Sequence, residues 1–385
     1  MRGTTVGGVI TVDDVLGLRA TRADGTQVVL PLLALRDRCA CAQCQHPSGQ
    51  RVLDPSTLPV ALRAEVVHVD GDVLQLVWQP EGHRSSYSIA ALGDLPADLP
   101  VARRWTAEDA DLLVKADHGD LVGDDGDSQR ELLRWLRGVA QMGCGVMTGV
   151  PIDDGEVARV AELFGFVRQT NYGRWFDVRT QVDPTNLANT SLGLAPHTDN
   201  PYRDPVPTMQ LLHCHHTSAS GGLNVLVDGW KIAEQVRRLD PEGFAQLTSR
   251  PVTFAYQGDG ASLQTTTPLI ELDPAGAVRA VRSNHRSLQQ LPAASSDLEA
   301  EALATWYRGY TLFARLVADP SFHMQVQLQP GDLFIVDNRR VLHGRTAYDS
   351  SGGTRHLQGC YADIDGLHST IRVLEAALDP SLEAQ

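Results

Sequence analysis

The sequence has no run of about 18 consecutive apolar residues, so it predicts no membrane-spanning helix. Its N-terminus, MRGTTVGGVITVDDVLGLRA, lacks the sustained apolar core of a secretory signal and carries acidic residues early. We therefore expect a cytoplasmic protein that does not bind membranes.

Positive charge is also in short supply. Lys and Arg number 33 against 47 Asp and Glu, which gives a formal net charge of -14 at pH 7. An acidic surface repels nucleic acid and anionic membranes, so we expect neither as a partner. Hydrophobic residues make up 42% of the 385 residues, enough for a sizeable core and for two domains.

Cysteine is scarce, with six residues in the chain. In a reducing compartment we expect metal ligands or core residues rather than disulfides. Cys39, Cys41 and Cys44 form a C-x-C-x2-C cluster. A structural zinc ion needs four nitrogen or sulfur ligands, and His46 and His83 are both candidates for the fourth.

Strand patterns predominate over helix patterns. Residues 1–90 predict short strands and hairpin turns, and MQVQLQPGDLFIVDNRRVLHGRTAY predicts two strands joined by a Pro-Gly-Asp turn. Strand pairs of this kind build jelly rolls and cupin-like barrels. The fold class predicted is therefore mostly β with flanking helices.

Three helices and one linker are also predicted. Apolar residues at helical spacing indicate helices over Ser128–Gln141, near Lys231–Leu239 and near Leu298–Val317. Ser128 is the expected N-cap of the first. The proline-rich stretch 92–105 is the candidate linker between two domains.

A candidate metal centre comes from two separate segments. His197 and Asp199 form an H-x-D pair at a predicted strand end, and His343 follows a later predicted strand. Two histidines and one carboxylate on one face are typical of non-haem Fe(II) oxygenases. Arg355, on the strand after His343, could bind a carboxylate such as that of 2-oxoglutarate near the metal. Zinc accepts the same ligands, so a zinc hydrolase and a non-catalytic metal-binding barrel remain alternatives.

Several longer motifs resemble a known family. LRDRCACAQCQHPSGQR, EGHRSSY, HTDNPYRDPVPTMQLLHC, GGLNVLVDG, PGDLFIVDNRRVLHGR and RHLQGCYADIDGLHSTIRVL are similar to segments of the γ-butyrobetaine and trimethyllysine hydroxylases. The resemblance covers nearly the whole chain. It implies a small N-terminal zinc-binding β domain over residues 1–95 and a double-stranded β-helix (jelly-roll) oxygenase domain over residues 96–385.

The resemblance also implies the cofactors and their ligands. Fe(II), the co-substrates 2-oxoglutarate and O2, and a structural zinc are expected. Carried over residue by residue, it assigns the iron to His197, Asp199 and His343, the 2-oxoglutarate to Arg355, and the zinc to Cys39, Cys41, Cys44 and His83 rather than His46.

Family members hold a trimethylammonium group in an aromatic cage through cation–π contact. The matching positions are Tyr172, Phe176 and Tyr361, and Trp175 lies beside them. Two positions depart from the γ-butyrobetaine enzymes: Asn189 stands where they carry a cage tyrosine, and residue 176 is Phe instead of Trp. By the same match, the acidic end of the substrate would meet Asn186 and Asn284, and Arg286 could add a charge-assisted bond.

The expected substrate is thus a small cationic or zwitterionic trimethylammonium acid similar to γ-butyrobetaine. A related bacterial branch hydroxylates 2-(trimethylamino)ethylphosphonate, and Arg286 would suit its phosphonate dianion, so this substrate is the alternative. The sequence does not determine the oligomeric state; relatives are often homodimers, so a homodimer is considered by analogy alone.

Overall fold

The computed structural model describes residues 4–6, 10–13, 17–21, 25, 27–92, 99–179, 192–217, 220–258, 260–349 and 354–378. The chain divides into two compact units, residues 1–98 and residues 99–384. Within the described residues, no helix combines the length and the hydrophobicity that a membrane crossing requires.

The smaller unit contains two antiparallel sheets and one short helix. One sheet has the strand order β1-β2-β3-β4 and the other the order β5-β6-β7. The elements are β1 (Thr4–Val6), β2 (Ile10–Asp13), β3 (Gly17–Thr21), β4 (Gln27–Leu30), α1 (Leu32–Asp37), β5 (Arg63–Asp70), β6 (Val73–Gln79) and β7 (His83–Ser88), with a 3-10 turn at Pro55–Thr57.

The core of this unit follows from alternating sequence. In β6, VLQLVWQ, every second side chain points inward, and Leu74, Leu76 and Trp78 are buried. Such alternation is typical of a strand with one buried face. Trp78 pairs in register with His83, the first residue of β7. The hairpin therefore holds His83 at a defined place at the sheet end.

The larger unit is built on two sheets. A six-stranded sheet has the order β10-β23-β12-β20-β9-β8, and a four-stranded sheet has the order β11-β21-β14-β19. Their strands are β8 (Val114–Asp117), β9 (Cys144–Thr148), β10 (Phe176–Arg179), β11 (Leu194–His197), β12 (Met209–Thr217), β14 (Asn224–Asp228), β19 (Met324–Val326), β20 (Leu333–Asp337), β21 (Val341–Arg345) and β23 (Arg355–Ala362).

Both sheets contribute to one core. Leu212, Phe334 and Leu357 of the six-stranded sheet cluster with Leu226 and Val341 of the four-stranded sheet. The strands β20 and β21 are buried along their whole length, as expected of strands covered on both faces. This is the double-stranded β-helix that the family resemblance implies, so the fold class is confirmed.

Helices cover the outer face of the six-stranded sheet. Leu211 and Ile335 of that sheet pack with Trp135, Leu136 and other apolar helix residues in one cluster. The helices of the unit are α2 (His118–Leu121), α3 (Gly126–Met142), α4 (Glu156–Glu162), α5 (Gly229–Leu239), α6 (Pro241–Ser249), α7 (Asp297–Ala318) and α8 (Ile364–Leu378), with 3-10 turns at Ala107–Leu112 and Pro320–Phe322.

A helical insertion lies between β14 and β19, with its own core around Trp306 and Phe254. Besides α5, α6 and α7 it contains two hairpins. Their strands, and those of a short pair elsewhere in the unit, are β15 (Val252–Gly258), β16 (Ala261–Thr267), β17 (Ile270–Leu272), β18 (Val278–Val281), β13 (Ser220–Gly221) and β22 (Tyr348–Asp349).

One prediction about local structure is wrong. Helix α3 begins at Gly126, and Asp125 rather than Ser128 caps it, accepting from the backbone N–H groups of Asp127 and Ser128. The boundary between the two compact units, at residues 98 and 99, falls within the predicted linker 92–105. The last residue of that stretch, Trp105, belongs to the larger unit: it is buried, and its indole N–H donates to the Met142 carbonyl at 2.7 Å. Residues 93–98 of that stretch lie outside the described residues.

Candidate functional site

The two histidines of the H-x-D…H pattern face each other across neighbouring strands. His197 ends β11 and pairs in antiparallel register with His343 of β21. Directly opposed residues of an antiparallel pair point to the same face, and the two imidazole centroids are 4.6 Å apart. The sheet register thus brings together residues 146 positions apart (343 minus 197).

Asp199 completes the cluster two residues beyond the strand end. Its Oδ1 lies 3.2 Å from His197 Nε2, and the ligand atoms of the two histidines and Asp199 all lie within 4.8 Å of one another. Adjacent ligands about 2.1 Å from one metal ion would be about 3 Å apart. The three side chains therefore fit one shared cation.

The protonation states favour metal binding. The Nδ1 of His197 donates to the Ala195 carbonyl at 2.9 Å, which leaves the lone pair of a neutral ring at Nε2. Burial, together with neighbouring His197, lowers the pKa of His343 to about 3, so this imidazole is neutral near pH 7. Burial alone would raise the pKa of Asp199, but contact with the two histidines and a hydrogen bond from Tyr361 hold it well below its usual value. A neutral His343 and an ionised Asp199 suit a divalent cation, which binds deprotonated ligands.

Two side chains bind the other carboxylate oxygen of Asp199. Gln210 Nε2 and the Tyr361 hydroxyl donate to Oδ2 at 2.7 and 2.8 Å. Burial and the nearby charge of Asp199 raise the pKa of Tyr361 well above its usual value, so the phenol keeps the proton it donates. Asn338 fixes the backbone, accepting from the Asp199 N–H and donating to the Asp199 carbonyl. Gln210 and Asn338 were not predicted, because no local pattern marks them.

A cavity of about 640 Å³ opens beside this cluster and is lined by residues of both sheets. Arg355, the first residue of β23, lines it and is buried. Its Nη2 donates to Asn224 Oδ1 at 3.1 Å. Within the part of the chain that the structure describes, no carboxylate lies within ion-pair distance of its guanidinium. Burial and the neighbouring Arg345 lower the pKa of Arg355 to about 10, so it remains charged at neutral pH.

Aromatic rings line much of the cavity. The centroid of Phe176 is 5.2 Å from that of Tyr361 and 6.0 Å from that of Tyr172. Two further rings, Tyr202 and Tyr256, stack at 4.9 Å and also line it. These two were missed because single tyrosines in NPYRDP and TFAYQG carry no signal of what they face.

Trp175 is placed differently from its predicted role. It does not line the cavity, its side chain is 38% exposed, and its indole packs against Gly155. Asn186 and Asn189 lie outside the described residues.

Asn284 and Arg286 reach the same cavity. Asn284 Nδ2 donates to the Thr198 carbonyl at 3.3 Å, and this hydrogen bond helps to fix the backbone of the H-x-D segment. Its Oδ1 accepts from the backbone N–H and the Nε of Arg286, at 3.2 and 3.3 Å. Asn284 thus orients Arg286, which leaves the rest of the guanidinium available to a ligand.

The smaller unit holds a second cluster. His83 Nε2 lies 3.4 Å from Cys39 Sγ and 3.6 Å from both Cys41 Sγ and Cys44 Sγ. Nitrogen and sulfur ligands of one tetrahedral zinc ion would be about 3.5 Å apart, given bond lengths of about 2.0 and 2.3 Å. This donor set fits zinc. His46 takes no part, since its ring is exposed and bonded to Ser48.

Arg36 supports this cluster and was not predicted. Its Nη1 donates to Cys44 Sγ at 3.2 Å, and its Nε pairs with Glu81 Oε1 at 2.6 Å. A guanidinium beside a thiolate stabilises the negative charge that zinc ligation requires. Burial and the charge of Arg36 lower the pKa of His83, which favours the neutral imidazole.

A double-stranded β-helix with two histidines and a carboxylate beside an open cavity is typical of the mononuclear non-haem iron oxygenases. The sequence model described as "Taurine catabolism dioxygenase TauD, TfdA family" matches residues 106–361. The chain belongs to this family. It is a 2-oxoglutarate-dependent dioxygenase, whose reaction uses Fe(II), 2-oxoglutarate and O2. A second sequence model, "Gamma-butyrobetaine hydroxylase-like, N-terminal", matches residues 16–93.

Curated relatives match along most of the chain. A gamma-butyrobetaine dioxygenase from Pseudomonas sp. (strain AK-1) is 34% identical over 93% of this chain and 94% of its own length. The human gamma-butyrobetaine dioxygenase is 28% identical over 92% and 94%. A trimethyllysine dioxygenase from Meyerozyma guilliermondii is 26% identical over 91% of each chain.

Among solved structures, the crystal structure of an asparagine oxygenase aligns with a TM-score of 0.47 and 17% identity, over 65% of this chain and 92% of that one. The family assignment therefore rests on the sequence matches.

Proposed function

We propose that this dioxygenase hydroxylates a small trimethylammonium acid similar to γ-butyrobetaine. The observation that carries the proposal is the group of aromatic rings in the cavity beside the metal-ligand cluster. A quaternary ammonium group cannot donate a hydrogen bond, so ring faces in a partly desolvated site are its main attractive partners. Tyr172, Phe176 and Tyr361 would form the cage, joined by Tyr202 and Tyr256.

In this proposal His197, Asp199 and His343 hold the iron, and Arg355 holds the distal carboxylate of 2-oxoglutarate. Bound iron with 2-oxoglutarate and O2 supplies the oxidising power for hydroxylation. The protein binds the substrate at both ends, with the rings at the cation and Arg286, oriented by Asn284, at the acid. Fixing both ends selects the carbon that faces the metal.

The smaller unit has a structural role in this proposal. Residues 1–95 would form a separate domain held by zinc on Cys39, Cys41, Cys44 and His83. A closed set of four protein ligands leaves no position for a substrate. Residues 96–385 would carry the reaction.

A phosphonate is the second candidate for the acidic end. Arg286 has no carboxylate within ion-pair distance among the described residues, and Arg345 also lines the cavity. These guanidiniums would balance the second charge of 2-(trimethylamino)ethylphosphonate.

A substrate panel tests the proposal. Succinate release is measured with Fe(II), 2-oxoglutarate and O2 in the presence of γ-butyrobetaine, trimethyllysine, 2-(trimethylamino)ethylphosphonate or taurine. We expect a trimethylammonium acid to give the largest stimulation. Stimulation by taurine alone would contradict the cage, and no succinate with or without substrate would favour a non-catalytic metal-binding barrel.

Anaerobic binding supplies a matched control for the charge. The acid 5,5-dimethylhexanoate has the shape of γ-butyrobetaine, with carbon in place of the charged nitrogen. Cation–π contact of about 1–2 kcal/mol predicts roughly 5- to 30-fold weaker binding of this analogue, which lacks the cationic nitrogen. Equal affinity for the two acids would show that the rings recognise shape rather than charge.

A further inference from the structure

Asp199 uses its two carboxylate oxygens differently. Oδ1 faces His197 Nε2 at 3.2 Å, on the side where the metal ligands converge. Oδ2 is bonded to Gln210 Nε2 at 2.7 Å and to the Tyr361 hydroxyl at 2.8 Å. One oxygen is thus open to a cation, while the other is already occupied by two donors.

The six-stranded sheet sets the positions of both donors. Gln210 of β12 and Tyr361 of β23 are directly opposed in antiparallel register, so their side chains leave the sheet on the same face. Gln210 is 2% exposed and Tyr361 is 4% exposed, which leaves little room for either to move. The two donors therefore act as a rigid pair.

The two ends of the Gln210 amide are satisfied unequally. Its Oε1 is buried and has no hydrogen-bond partner among the residues that the structure describes, while Nε2 is bonded to Asp199. An unsatisfied buried oxygen costs stability, so a structural role alone does not explain the residue. A flipped amide would place Oε1 against the carboxylate and repel it.

We propose that Gln210 and Tyr361 are positioning residues that restrict Asp199 to ligation of the metal through one oxygen. Carboxylates bind metals through one oxygen or through both, and chelation by both would take one of the positions that 2-oxoglutarate and O2 need. This inference rests on the proposed function, in which Asp199 is an iron ligand. It also gives Tyr361 a second role besides its ring in the cage.

The two roles of Tyr361 can be separated. Tyr361→Phe keeps the ring beside Phe176 and removes the donor, and Gln210→Met removes the other donor at similar volume. Tyr310→Phe and Gln246→Met are the matched controls, because neither residue lines the cavity. Tyr310 stacks instead on Trp306 in the helical insertion.

The experiment uses Co(II) in place of iron, without turnover. Visible absorption of the full-length protein is recorded with and without 2-oxoglutarate, and melting temperature is measured in parallel. We expect the Tyr361→Phe/Gln210→Met double variant to change the Co(II) spectrum and to weaken 2-oxoglutarate binding by about 10- to 100-fold, as is typical when groups that orient a metal ligand are lost. Each single variant should show a smaller change, and the controls none.

A double variant that folds, binds Co(II) and shows the wild-type spectrum and wild-type 2-oxoglutarate affinity would overturn the proposal. If the double variant fails to fold, Tyr361→Phe decides the matter by the same criteria. A second readout is the ratio of succinate released to substrate hydroxylated, which we expect to rise in both single variants. Absence of hydroxylation by the wild-type protein would contradict the proposed substrate. The Co(II) comparison would still test whether Asp199 binds the metal through one oxygen.

Discussion

The two metal-ligand clusters of this protein differ in what they leave open. Near the N-terminus, three cysteines and His83 supply four ligands and enclose the space between them. In the β-helix, His197, Asp199 and His343 supply three, beside a cavity of about 640 Å³. Closed sites stabilise a fold, whereas open sites bind exchangeable ligands. The number of protein ligands, more than their chemical type, separates the structural centre from the catalytic one.

The largest expected effect comes from the open centre. His197→Ala should abolish Fe(II) binding and 2-oxoglutarate turnover, a loss beyond the 10- to 100-fold typical of residues that only orient a ligand. Zinc should remain bound, because its four ligands are untouched. Metal analysis together with succinate release measures both. Turnover at the wild-type rate would refute the assignment of His197.

Substitutions at the closed centre should lower the stability of the protein rather than its catalytic activity. His83→Ala should release zinc and lower the melting temperature of the N-terminal unit, since ligation energy is part of folding energy. His46→Ala is the matched control, being exposed and outside the cluster, and should change neither zinc content nor melting. Equal loss of zinc in the two variants would contradict the assignment of His83 as the fourth zinc ligand.

Arg355 tests a further difference between the two centres, because only the open centre is expected to bind a co-substrate. Arg355→Ala should raise the half-saturating 2-oxoglutarate concentration by about 10- to 100-fold, equivalent to charge-assisted bonds of about 1.5–3 kcal/mol. Initial rates at varied 2-oxoglutarate give the value. The exposed Arg308, paired with Asp240, is the control, and Arg308→Ala should leave it unchanged. An unaltered half-saturation in Arg355→Ala would remove its proposed role.

The smallest expected effect lies in the cage. Tyr172→Leu should weaken binding of the trimethylammonium substrate by about 5- to 30-fold, with little effect on 2-oxoglutarate. Trp175→Leu is the control variant, because Trp175 lies three positions along the chain and does not line the cavity. Anaerobic titration measures the substrate affinity of each variant. Equal losses of affinity in both would indicate that Tyr172 contributes to packing rather than to recognition of the substrate.

Local patterns predicted much of this molecule. The Pro-Gly-Asp turn between two apolar strands indicated a jelly roll or cupin-like barrel, and the spacing of Cys39, Cys41 and Cys44 indicated a zinc cluster. Helix α5 was confirmed because its periodic apolar residues are buried, whereas the cap of α3 was misplaced by three residues (Asp125 instead of Ser128). Serine and aspartate cap helices equally well, so composition alone could not choose between them.

Long-range register lay beyond such patterns. Residues alone left the fourth zinc ligand open between His46 and His83, and the resemblance to a family chose the one that the β6–β7 hairpin brings to the cysteines. For the same reason, the sequence could not predict that Phe176 lines the cavity while Trp175 does not, because a single aromatic residue does not show which face its side chain will take.

The sequence by itself determined which groups are available: an acidic chain, a β-rich pattern, a cluster of thiols, and an H-x-D pair with a distant histidine and arginine. Only the tertiary structure decided which of them meet. The pairing of His197 with His343 and of Gln210 with Tyr361 comes from strands far apart in the chain. The physical reason is that side-chain chemistry is a property of single residues, whereas convergence depends on sheet register, which the whole core sets.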